Sequence, residues 1–185
     1  MRSRAAIAVV LWVLGVAALP ADARSLKAGE PLPAFVVDAW DGGRVQVEPA
    51  ATKVVLIEIW ASWCAPCREA LPAIASLTAE IGDPRLQVFA VSIDRERNRA
   101  ERFLDTYLPN RGIPIYHDPE GRLPAALGAA GMPTTCVAVD GIVRAVEVGF
   151  TADAVSRLRA VISEALESSP GSTATPVTDS PRARR

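Results

Sequence analysis

A nearly unbroken apolar run from Val54 to Trp60 is followed, after three residues, by two cysteines at positions 64 and 67. Apolar, β-branched runs of this length are typical of a strand that is covered on both faces, which predicts the centre of a β-sheet. From Glu69 onward the apolar residues recur at helical spacing, so we expect a helix directly after the cysteines. The two thiols therefore fall where a buried strand passes into the first turn of a helix.

The spacing of Cys64 and Cys67 suits reversible disulfide chemistry. Residues three apart on a helical turn lie on one face, within the roughly 5.5 Å Cα separation that a disulfide accepts. The helix start also directs unsatisfied N–H groups and the positive end of its dipole at Cys64, which favours a thiolate there. Lowering a thiol pKa from about 8.5 to about 7 requires on the order of 2 kcal/mol, within what such surroundings supply. We predict Cys64 as the attacking thiolate and Cys67 as the resolving thiol.

Glu58 is an anomaly, because it places a carboxylate inside the apolar run where the strand is expected to be most buried. An unpaired ionised carboxylate is costly in such a place, so its pKa is expected to rise. Since Glu58 precedes Cys64 by six residues, it can lie beneath the cysteine pair. We interpret it as the base that removes the proton from Cys67, directly or through water. The alternative is a strand-edge glutamate that reaches solvent.

Metal binding is the main rival to redox chemistry for a pair of cysteines. A structural zinc ion needs two more ligands, and the chain offers only Cys136 and its single histidine, His117, which is predicted to be a turn residue. Because soft thiolates suit Cu(I), a copper chaperone that binds its metal through Cys64 and Cys67 without turnover is the better alternative. The net charge of −1 gives no sign of a nucleic-acid surface.

The segment between residues 26 and 167 alternates strand-like and helix-like patterns, which predicts an α/β sandwich with helices on both faces of a sheet. Asp41-Gly42-Gly43 predicts an N-terminal hairpin and Asp140-Gly141 a second one. Asp94 and Thr151 are expected to cap the two helices that follow them. Pro133 stands at the entrance to a strand, where the residues alone favour an ordinary trans peptide bond.

The two ends of the chain carry different patterns from the centre. Residues 1–23 have the basic, apolar and small-residue regions of a secretory signal peptide, with an uncleaved membrane anchor as the alternative. Residues 168–185 are rich in Ser, Pro and Thr, which predicts a disordered tail. Three cysteines, an odd number, in an exported protein indicate a redox pair plus one extra thiol, rather than a disulfide framework.

Taken together, Val54 to Cys67, Pro72 in the following helix and the segment Gly131-Met132-Pro133-Thr134 resemble the thioredoxin superfamily. The order of Asp118 to Gly121, Leu123 to Gly128 and Gly131 to Thr135, with an extra strand and helix before it and a signal peptide, is similar to the exported TlpA-type thiol-disulfide reductases that act in cytochrome c maturation. The resemblance implies a three-layer sandwich with a mixed central sheet over residues 26–167. It also implies a nucleophilic Cys64, a resolving Cys67, a buried acid at Glu58 and no cofactor. Substrate contacts would come from Trp63, Met132, a cis-proline at Pro133 and Thr134.

The same resemblance implies a periplasmic reductase of protein disulfides, with apocytochrome c or copper-site cysteines as substrates and a transmembrane thiol carrier as electron donor. Ala65-Pro66 replaces the Gly-Pro of thioredoxin, and because this dipeptide influences the reduction potential, that potential does not carry over. Cys136 stands where an apolar strand residue is usual, and we interpret it as a buried small hydrophobe, with a third redox thiol as the alternative. A peroxiredoxin is disfavoured because Ile57 and Ala61 occupy the places of its proline and its threonine or serine.

Overall fold

The computed structural model describes residues 25–51 and 54–168. The predicted signal peptide lies outside the described residues, and so does the predicted tail apart from Ser168, which is the last residue of a helix. Within the described ranges the chain forms seven strands and four α-helices. In chain order these are β1 Phe35–Ala39, β2 Arg44–Val47, β3 Val54–Trp60, α1 Cys67–Ile81, β4 Leu86–Ser92, α2 Arg97–Tyr107, β5 Ile115–His117, α3 Arg122–Leu127, β6 Thr134–Val139, β7 Ile142–Val148 and α4 Ala152–Ser168.

The strands form one mixed sheet in the order β2-β1-β5-β4-β3-β6-β7. Strand β3 pairs in parallel with β4 over its whole length and antiparallel with β6 on its other side. Every residue of β3 is buried, as expected for a strand covered on both faces and flanked on both edges. The predicted central strand and both predicted hairpins, β1–β2 and β6–β7, are confirmed.

The sheet separates two apolar clusters, and successive residues of β3 alternate between them. Leu56 and Trp60 pack with apolar side chains of α1, α2 and α4 on one side. Val55, Ile57 and Ile59 pack with α3 and the β1–β2 hairpin on the other. Each fully buried aliphatic or aromatic side chain contributes about 1.5–3 kcal/mol, so both layers are needed to stabilise the sheet. The prediction of a mixed sheet with helices on both faces is confirmed.

Two local predictions are wrong. Asp94 does not cap α2, because that helix begins at Arg97 with Glu96 in the N-cap position and no side-chain capping bond. His117 is not a turn residue, because it ends β5 and is buried. The Asp94 carboxylate instead accepts hydrogen bonds from Ser62, and His117 Nε2 donates to the Asp94 carbonyl. Thr151 behaves as predicted, since its Oγ1 accepts the Ala154 N–H at 3.2 Å at the start of α4.

Candidate active site

Cys64 and Cys67 are joined by a disulfide, with their Cα atoms 5.4 Å apart. Cys67 is the first residue of α1, and Cys64 lies in the turn between β3 and that helix. Cys67 is fully buried, whereas Cys64 keeps 4% of its surface exposed. Cys64 is therefore the more exposed residue of the pair.

The start of α1 presents a hydrogen-bond donor to the sulfur of Cys64. The Cys67 N–H donates to Cys64 Sγ at 3.2 Å. The N-cap residue is Pro66, which supplies no side-chain acceptor to the first helical turn. The Cys67 N–H lies at the positive end of the helix dipole, where a negative charge is stabilised. The arrangement can stabilise a Cys64 thiolate once the disulfide is reduced.

The segment that enters β6 lies at the same end of the sheet as the cysteines, because Thr134 pairs with Ile59 near the end of β3. The Met132–Pro133 peptide bond is cis, so the trans bond expected from the local residues is wrong and the expectation from the family resemblance is right. Thr134 Oγ1 donates to the Gly131 carbonyl at 2.7 Å, and the Gly149 N–H donates to the Pro133 carbonyl at 2.8 Å. Met132 packs against the apolar cluster that contains both cysteines.

Glu58 is fully buried in the middle of β3, so the alternative of a strand-edge glutamate reaching solvent is wrong. Thr135 Oγ1 donates to Glu58 Oε2 at 2.5 Å from the neighbouring strand, while Oε1 has no hydrogen-bond partner. Burial raises the pKa of Glu58 from 4.5 to about 7, and the hydrogen bond from Thr135 opposes that rise. A carboxyl group with this pKa can both accept and release a proton near neutral pH.

The remaining predicted residues fall into an exposed and a buried class. Trp63 precedes Cys64 and has 63% of its surface exposed, which makes it available to a macromolecular substrate. Cys136 lies on β6 between Ile57 of β3 and Val146 of β7. Its burial raises the pKa of its thiol to about 12, so it packs as the predicted small hydrophobe.

Sequence reasoning missed one group of residues next to the cysteines. The Asp94 carboxylate accepts hydrogen bonds from both the N–H and the hydroxyl of Ser62, two residues before Cys64. The two partners are 32 positions apart in the sequence. The only local signal, an aspartate ahead of a helix, favours capping instead.

Comparison with known proteins adds to this geometry. The family described as Redoxin matches residues 27–162. The chain belongs to the redoxin family. It is 31% identical over 128 residues to the thioredoxin-like protein YneN of Bacillus subtilis, covering 67% of this chain and 73% of that protein. It is 28% identical over 133 residues to the thiol-disulfide oxidoreductase ResA of Oceanobacillus iheyensis, covering 70% of this chain and 68% of that protein.

A solved structure of a protein described as thiol:disulfide interchange protein DsbE, from Chlorobium tepidum, matches this redoxin with a TM-score of 0.68 at 31% identity. The match covers 77% of this chain and 99% of that chain. The predicted resemblance to TlpA-type members of the thioredoxin superfamily and the predicted enzyme class, a thiol-disulfide oxidoreductase, are confirmed. Among residues 25–51 and 54–168, no helix combines the length and the apolar character needed to cross a membrane.

Proposed function

We propose that this redoxin reduces disulfides of exported proteins, with Cys64 as the attacking thiolate and Cys67 as the resolving thiol. The observation that carries the proposal is the bond from the Cys67 N–H to Cys64 Sγ at the start of α1. It supports Cys64 as the sulfur whose negative charge the fold stabilises once the disulfide is reduced. The greater burial of Cys67 suits a thiol that reacts only with its neighbour.

The reaction begins with the reduced protein. The Cys64 thiolate attacks one sulfur of a substrate disulfide, a mixed disulfide forms, and the other substrate sulfur leaves as a thiolate that takes up a proton. The Cys67 thiolate then attacks Cys64 Sγ, which forms the Cys64–Cys67 disulfide and expels the second substrate thiolate. The protein has lost two electrons and the substrate has gained them. A dithiol donor must restore the pair, and we assign that role to a transmembrane thiol carrier.

Glu58 takes the proton from Cys67 during the resolving step. Its burial and its pKa of about 7 support this role, because a base poised near the working pH accepts a proton and releases it again. Oε1 has no hydrogen-bond partner and is the atom that is free to accept the proton, directly or through a water molecule. Thr135 holds Oε2 and so orients the carboxyl group.

The substrate strand lies between Trp63 and the segment Met132–Thr134, with the backbone of Met132 aligning it beside Cys64. The exposure of Trp63 and the position of the cis-proline segment at the cysteine end of the sheet support this placement. Relatives described as a thiol-disulfide oxidoreductase and a thiol:disulfide interchange protein support disulfide substrates. The resemblance to TlpA-type reductases supports apocytochrome c or copper-site cysteines as the particular substrates. We accordingly place the protein in the periplasm, either released by cleavage of residues 1–23 or anchored by them.

Covalent trapping tests the proposal. In Cys67→Ser the mixed disulfide on Cys64 cannot be resolved, so disulfide-linked partners should accumulate and be identified by mass spectrometry after non-reducing electrophoresis. Cys64→Ser is the matched control and should trap none.

Insulin reduction with a dithiol donor separates the reductase from a Cu(I) carrier, because a carrier does not turn over. Absence of both trapped partners and turnover would rule out a protein-disulfide substrate.

A further inference from the structure

The short segment from Ala61 to Pro66 connects β3 to α1 and belongs to neither element. Inside this segment one backbone hydrogen bond forms, from the Cys64 N–H to the Ala61 carbonyl at 3.1 Å. Once the disulfide is reduced, the position of Cys64 relative to Cys67 therefore depends on contacts with other parts of the fold. Ala61 and Cys64 pack in an apolar cluster, and side-chain hydrogen bonds to the segment come from Asp94, just beyond the end of β4.

The Asp94 side chain is 2% exposed, and its carboxylate accepts three hydrogen bonds. Oδ2 accepts the Ser62 N–H at 2.8 Å and the Ser92 hydroxyl at 3.0 Å, while Oδ1 accepts the Ser62 hydroxyl at 2.6 Å. Two of the three donors belong to one residue of the connecting segment. A carboxylate that is bound at both oxygens by one residue fixes that residue's orientation as well as its distance.

Asp94 is itself fixed by its backbone. Its N–H donates to Ser92 Oγ at 3.2 Å, and its carbonyl accepts a hydrogen bond from Nε2 of His117 at 2.6 Å. His117 is buried at the end of β5 and meets the ring of Trp40 edge-on, with the ring centres 6.1 Å apart. The acceptor of the Ser62 bonds is thus anchored to the ends of β4 and β5. A fully bonded network of this kind behaves as a rigid unit.

We propose that Asp94 is a positioning residue for the cysteine pair: through Ser62 it holds the Cys64 segment against the start of α1 in the reduced protein. Holding two thiols close raises their effective concentration toward each other, which favours the disulfide at equilibrium. Asp94 therefore sets how strongly the dithiol reduces other disulfides. The proposal rests on the proposed function only in that the pair cycles between dithiol and disulfide.

The test is the equilibrium of the Cys64–Cys67 pair with glutathione, measured for wild type, Asp94→Ala and Ser62→Ala. Asp94→Ala removes all three bonds and should lower the equilibrium constant for disulfide formation about tenfold, which corresponds to about 30 mV. Ser62→Ala removes only the hydroxyl bond and should lower the constant about threefold. Because the Asp94 carboxylate stays in place in Ser62→Ala, a shift in that variant cannot come from loss of its charge.

Asp118→Ala is the matched control. Asp118 is also fully buried, and its Oδ2 accepts a backbone N–H, that of Leu123 at 2.7 Å, but it holds the start of α3 instead of the cysteine segment. Its loss should lower the free energy of unfolding of the oxidised and reduced forms alike and leave the equilibrium constant unchanged.

The proposal is overturned if Asp94→Ala and Ser62→Ala shift the equilibrium no more than Asp118→Ala. Should Asp94→Ala fail to fold, Ser62→Ala decides the question, since it removes one hydroxyl from a half-buried residue. No protein substrate takes part in the measurement, so its outcome is independent of the substrate class proposed above. A wild-type pair that glutathione reduces almost completely would mark an oxidant and would instead count against the proposed reductase.

Discussion

Glu58 and Thr135 form the most unusual side-chain contact of the site, since a carboxyl group and a hydroxyl meet at 2.5 Å between two buried strands. Desolvation disfavours the charged carboxylate, and the raised pKa of about 7 follows from it. A neutral carboxyl group fits this position more easily than a charged one. The same residue that is suited to proton transfer therefore lowers the stability of the fold at alkaline pH.

The pH dependence of stability gives a direct prediction for Glu58→Gln. The folded-state pKa of about 7 lies above the ordinary 4.5, so the native protein loses stability as the pH rises from about 4.5 through about 7. Glutamine stays neutral and avoids this loss. Relative to wild type, the variant should gain on the order of 3 kcal/mol between pH 4 and pH 8, measured by denaturant unfolding.

The control for Glu58→Gln is Glu101→Gln, the same substitution at an exposed position of α2. Its stability relative to wild type should hardly change with pH. Parallel stability curves for wild type and Glu58→Gln would contradict the raised pKa. In Thr135→Val the hydrogen bond that lowers the pKa of Glu58 is gone, so the loss of stability should continue to a higher pH than it does in wild type.

At the scale of elements, the two hairpins differ in what surrounds their turns. The β6–β7 turn contains Asp140 at φ 49° and Gly141 at φ 77°, and a Cβ on Gly141 would lie 3.0 Å from the Cα of Ala50. The β1–β2 turn contains Gly42 at φ 98°, where a Cβ would meet no atom within 4 Å. Both positions favour glycine for backbone reasons, but only Gly141 is also confined by a neighbouring backbone.

This difference predicts the order of two substitutions. Gly42→Ala should lower the free energy of unfolding by about 1 kcal/mol, because the backbone of an alanine is strained at positive φ. Gly141→Ala should cost about 2 kcal/mol or more, since the turn must also move away from Ala50. Denaturant titration of both variants gives the comparison, and equal losses would show that the contact with Ala50 contributes nothing.

For the whole molecule, the third cysteine reports how cooperatively the sheet opens. Cys136 is 1% exposed on β6, next to the central strand, and burial raises its thiol pKa to about 12. It should react with a thiol reagent mainly when the sheet separates, because burial disfavours the thiolate and leaves only 1% of the residue exposed. Because Cys64 and Cys67 are joined in a disulfide and do not react with the reagent, labelling reports on Cys136.

We therefore predict that, in the oxidised protein, labelling of Cys136 follows global unfolding. Its rate should rise with denaturant in parallel with the unfolded population, and the derived opening free energy should equal that from circular dichroism. Cys136→Ala serves to confirm that no other group is labelled. Labelling in the absence of denaturant at the rate of a free thiol would show local opening at β6 and revive the third redox thiol.

Much of this protein follows from its sequence alone, because patterns of burial and backbone preference are local. The apolar run gave the limits of β3, the spacing of Cys64 and Cys67 gave a pair within disulfide reach, and Asp-Gly pairs marked the turns. Residue patterns could also point to Glu58 as a buried acid. Each of these signals is contained in a few neighbouring residues.

Only the tertiary structure decided which polar groups meet. Thr135 lies 77 positions from Glu58, and Asp94 lies 32 from Ser62, so each pairing depends on the order of strands in the sheet. The cis bond before Pro133 is likewise set by its surroundings, since the residues alone favour trans. The sequence determined the elements and the reactive pair, whereas sheet order determined the contacts that hold them, because hydrogen-bond partners distant in sequence leave no local pattern.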